Sequence, residues 1–139
     1  MRKASWIVLT VVGVLTLVAS LASAYLAYSG IFYAIGGVAV SKVADGRPGL
    51  EAALRGVRGT SAAYAAAFAT LYLFVVLGPY RRGERWAWWA ILFTMMALVL
   101  LTFVRVLAFD VRSGLGGAAI QGGLILVALL LDVGRIKRP

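Results

Sequence analysis

The chain has 139 residues, 63% of them hydrophobic, with 14 lysines and arginines against 5 acidic residues and a net charge of +9. Soluble globular domains are about 45–50% apolar, so this composition excludes an ordinary soluble domain and predicts an all-α integral membrane protein, one membrane domain over 1–139. Cysteine and histidine are absent, which removes disulfides, thiol chemistry and the usual haem and zinc ligands; no cofactor and no metal site are expected.

Arg2 and Lys3 precede an apolar run over 6–28. Ala22-Ser-Ala resembles a signal-peptidase site, but the run exceeds the roughly 7–15 residues of a signal h-region, so a retained first transmembrane helix is expected. Ala19, Ser23 and Ala27 recur at every fourth position. Such a small-residue ridge lets a second helix approach closely, which matters in lipid because no hydrophobic force drives helices together there.

Residues 29–59 are the least regular stretch, with Asp45-Gly-Arg-Pro-Gly as a strong break. A partly helical external loop is predicted. Pro48 suits a first-turn position, Glu51 lies early, and Arg55 and Arg58 lie late, which predicts a short helix over 48–58. The second span is expected over 60–78, alanine-rich at its start, with Tyr64 and Tyr72 near one face.

Gly78-Pro-Tyr-Arg-Arg-Gly-Glu-Arg-Trp then reads as a chain leaving the bilayer and re-entering it. Arg81, Arg82 and Arg85 resist translocation, while Trp86, Trp88 and Trp89 suit the headgroup region, and all six are expected as interfacial anchors. The run Arg81–Trp89 resembles the turn of various small prokaryotic four-span proteins. That resemblance implies a prokaryotic membrane protein and no particular activity.

The third span is expected over 86–108. Arg105 lies nineteen residues after Trp86, about 28 Å along a helix, near the opposite interface, where its side chain can snorkel. A turn at Ser113-Gly-Leu-Gly-Gly leads to a fourth span over 117–132. There Ala118 and Gly122, and Ala119 and Gly123, form small-xxx-small pairs that mark a tight helix contact.

Four spans give a four-helix transmembrane bundle. The tighter basic clusters, Arg2 and Lys3, Arg81 to Arg85 and Arg135 to Arg138, place both termini in the cytoplasm if the membrane is the bacterial inner one. Membrane lipids are then natural partners of the basic residues, and no nucleic acid is expected. No His–carboxylate pair, nucleophile with a base, or phosphate loop is present. The leading expectation is therefore a non-enzymatic accessory subunit or self-associating bundle, forming a homo-oligomer or part of a larger complex. The alternative is a module that binds or transports a lipid-like or anionic small molecule in an outer-half pocket, with Arg105, Tyr25, Tyr28, Tyr64 and Gln121 as candidate ligand contacts.

Overall fold

The computed structural model describes residues 2–29, 34–35, 38–109 and 115–135. The chain is mostly helical. Helix α1 is Arg2–Tyr28, strand β1 (Ala34–Ile35) pairs antiparallel with β2 (Val38–Ala39), and the short helix α2 is Val40–Ala44. Helix α3 is Pro48–Val75 and passes into a π turn, Val76–Tyr80; helices α4, Arg85–Phe109, and α5, Leu115–Leu131, follow, with a 3₁₀ turn at Val133–Arg135. Three stretches, Ala4–Tyr28, Gly49–Tyr80 and Arg85–Ala108, are long and apolar enough to cross a membrane, and Leu115–Leu131 is a shorter apolar helix. The first two residues of the expected Ser113 turn, and Lys137 and Arg138 of the C-terminal basic cluster, lie outside the described residues.

The break expected near 59 does not occur. One helix runs from Pro48 through the predicted short helix and on into the predicted second span, so the irregular segment ends at Arg47 rather than at Gly59. Gly59 serves packing instead of interruption: the Tyr28 ring occupies the space where its Cβ would stand.

The chain forms two compact units, one of Met1–Val14 with Leu71–Pro139 and one of Leu15–Thr70. In the second unit the small-residue ridge of α1 meets the start of α3. Ala27 is buried, and its carbonyl accepts from Arg55 Nη1 at 3.5 Å. Arg58 Nε donates to Ser23 Oγ at 2.8 Å, while Ala19 stays exposed. Arg55 also pairs with Glu51 at 3.0 Å, one turn back, the favoured order for an i,i+4 ion pair on a helix.

The first unit holds the main apolar cluster, including Leu9, Val12, Tyr72, Val76, Tyr80, Trp88, Ile91, Ile125 and Leu129. Gly13 allows its close packing, since a Cβ there would stand 2.6 Å from Leu73 Cδ2 and 3.0 Å from Tyr72 Cδ1. Pro79 lies inside the π turn, where a widened turn tolerates its missing N–H. The helix then closes with Gly83 at φ 95°, Gly83 N–H donating to Tyr80 O and Glu84 N–H to Pro79 O. That pair of bonds is a Schellman motif, and the positive φ explains a glycine at this position. The turn read from Gly78 onward is thus completed five residues later than its first glycine.

Candidate functional site

Helices α4 and α5 meet along two contrasting stretches within the first unit. At one end, α5 stops at Leu131, which leaves its last four carbonyls without partners in the helix. Side chains from elsewhere in the unit supply two of them. Ser5 Oγ donates to Ala128 O at 2.8 Å, and Trp88 Nε1 donates to Leu129 O at 3.2 Å. Ser5 has one proton to give, so the 2.6 Å contact between Ser5 Oγ and Tyr80 Oη has the tyrosine as donor. Asp132 N–H also reaches Leu129 O. Ser5, Tyr80 and Trp88 are all buried, and together they tie the start of α1, the π turn and the start of α4 to the end of α5.

Farther along the seam lies an open groove between the two helices. It has a cavity volume of about 470 Å³ and is walled on α4 by Leu92, Met96, Val99 and Phe103 and floored on α5 by Ala118, Ala119, Gly122 and Gly123. Its two glycines differ. A Cβ on Gly122 would stand 3.3 Å from Met95 Cε, so this glycine sets the approach of α4, whereas a Cβ on Gly123 would meet nothing within 4 Å. Gly123 therefore leaves space that belongs to the groove.

The three tryptophans of the predicted interfacial turn separate. Trp86 and Trp89 are exposed, with Trp86 Nε1 donating to Glu84 Oε2 and the Trp89 ring stacked on Phe93 at 5.8 Å. Trp88 points inward and caps α5, so it belongs to the core rather than to the exposed belt. Periodicity places the three on one turn but not on one face: at about 100° per residue, Trp88 lies about 200° around the helix from Trp86 and about 100° from Trp89. The arginines also differ: Arg81 lies over the Trp6 ring at 5.1 Å, Arg82 pairs with Glu84 at 3.1 Å, and Arg85 is exposed.

The candidate ligand contacts fall in both units. Tyr25, Tyr28 and Tyr64 belong to the second and are exposed; Arg105, exposed, and Gln121, half-buried, belong to the first. None of the five lines the α4–α5 groove. At about 100° per residue, Arg105 projects roughly 150° around α4 from the groove's centre line. Ala118 and Gly122, expected to mark a helix contact, do line it.

Ser5 and Tyr80 carry no motif signal, and their pairing across the chain is invisible to local spacing. Among the described residues no group of three or more carboxylates is placed to hold a metal ion. Comparison with protein-family models, curated proteins and solved structures returns no match, so the functional reading rests on the geometry of the chain itself.

Proposed function

We propose that the chain is a non-enzymatic, multi-pass protein of a prokaryotic cytoplasmic membrane that holds a lipid-like molecule in the α4–α5 groove. In this reading its four apolar helices form one bundle with both termini in the cytoplasm, as the clustering of Arg2, Lys3, Arg81, Arg82 and Arg85 favours. Helix α5 has 17 residues, about 25 Å against a hydrocarbon core of about 30 Å, a mismatch that local thinning accommodates.

The groove is the observation that carries the proposal. Its lining is apolar and its floor is kept open by Gly123, so it suits a flexible hydrocarbon chain. Arg105 projects away from this groove, so it takes no part in the binding proposed here. The absence of histidine and cysteine and the apolar lining support a binding role over a catalytic one.

Native mass spectrometry of the gently extracted protein tests the reading. A discrete lipid-sized adduct is expected on the wild type and should be lost in Gly123→Leu, which fills the groove without meeting a neighbour within 4 Å of its Cβ. An adduct equally abundant in both would overturn it.

A second reading draws on the same small-residue floor. Exposed Ala119 and Gly123 suit close approach by another transmembrane helix, supplied by a second copy or a larger complex. A defined oligomer without added lipid mass, dissociated by Gly123→Leu, would favour that reading.

A further inference from the structure

We infer that the groove's occupant is an anionic phospholipid, with one acyl chain between α4 and α5 and its phosphate at Arg85. This deepens the lipid-binding proposal and rests on it. The basis is a single stripe along α4: Arg85, Trp89, Leu92, Met96, Val99 and Phe103 follow one another at alternating steps of four and three residues. That spacing keeps all six on one face of a helix. The last four line the groove. The same face thus carries, in order, a cation, an amphipathic ring and an apolar trough.

Length agrees with a lipid chain. Leu92 to Phe103 spans about 16 Å, one leaflet of a hydrocarbon core about 30 Å thick. Arg85 lies about 10 Å beyond Leu92 along the axis, where the headgroup region begins. Trp89 stands between them with its ring exposed, at the level indole side chains favour.

Charge selects among lipids. Arg85 has no carboxylate partner among the described residues. Its sequence neighbour Glu84 does not neutralise it, because Oε1 accepts from Arg82 Nε and Oε2 from Trp86 Nε1. Arg81, over Trp6, adds to the positive potential at this end. A phosphate bearing net negative charge gains from this surrounding; a zwitterionic headgroup brings its own cation into the same basic region and gains less.

The test uses the full-length protein in mixed micelles containing equal amounts of phosphatidylglycerol and phosphatidylcholine with identical acyl chains, read by native mass spectrometry. Wild type should retain phosphatidylglycerol over phosphatidylcholine by about fivefold. Arg85→Gln should bring the ratio near unity while total bound lipid persists, and Arg82→Gln should leave the preference in place. Gly123→Leu should lose both lipids. Equal retention of the two lipids by wild type, or an undiminished preference in Arg85→Gln, would overturn the headgroup assignment while leaving the groove occupied. Lipid binding unaffected by Gly123→Leu would remove the groove itself and the broader reading with it.

Discussion

The sealed and open parts of the α4–α5 seam are built from the same two helices, yet they solve different problems. Where α5 ends, unsatisfied carbonyls must find donors, and Ser5 and Trp88 provide them from α1 and α4. Where α5 is a continuous helix, its backbone bonds are internal, no donor is required, and small side chains leave space. Hydrogen bonding thus fixes the seam at the helix terminus, while glycine and alanine shape it along the barrel. Under the proposed membrane reading this division matters, because helix contacts in lipid depend on packing and interhelical hydrogen bonds rather than on exclusion of water.

The strongest way to break the contrast is Trp88→Ala. It removes a buried ring and the donor to Leu129 O together, and unfolding titrations in mixed micelles should show a stability loss of about 3–5 kcal/mol. Loss of less than about 1 kcal/mol would mean that the sealed end tolerates a cavity as a surface does. Gly122→Leu comes next. It places a side chain against Met95 and Val99 and should cost about 1–3 kcal/mol through overpacking, with Met95→Ala in the same chain recovering part of it.

Ser5→Ala should cost about 1–3 kcal/mol, because Ala128 O loses its side-chain donor and Tyr80 Oη the serine acceptor, both at a buried site. Pairing it with Tyr80→Phe should give less than the sum of the two separate losses, since one hydrogen bond is counted in both. Smallest is Gly123→Leu. Its stability change should stay within about 0.5 kcal/mol while bound lipid disappears, which would separate the groove from the structure that frames it.

The apolar runs made the long helices legible, because their length and composition admit little else. Boundaries were less so: Gly59 stands where a break was expected, yet its missing side chain receives the Tyr28 ring. The small-residue pairs of α5 could be read from spacing alone, but their separate jobs could not. Gly122 and Gly123 are adjacent, and only the position of Met95 distinguishes the one that packs from the one that leaves room. Local spacing groups Trp88 with Trp86 and Trp89, because helix rotation is set by neighbouring elements that spacing does not encode. Ser5 and Tyr80 are 75 residues apart, beyond the reach of any motif.

The closure between Ser5 and Ala128 also has a direction in time. The hydroxyl is made first and the carbonyl 123 residues later. At ribosomal speeds of about 5–20 residues per second, α1 waits several seconds before its partner exists. This end of the unit therefore closes only after α5 has left the ribosome.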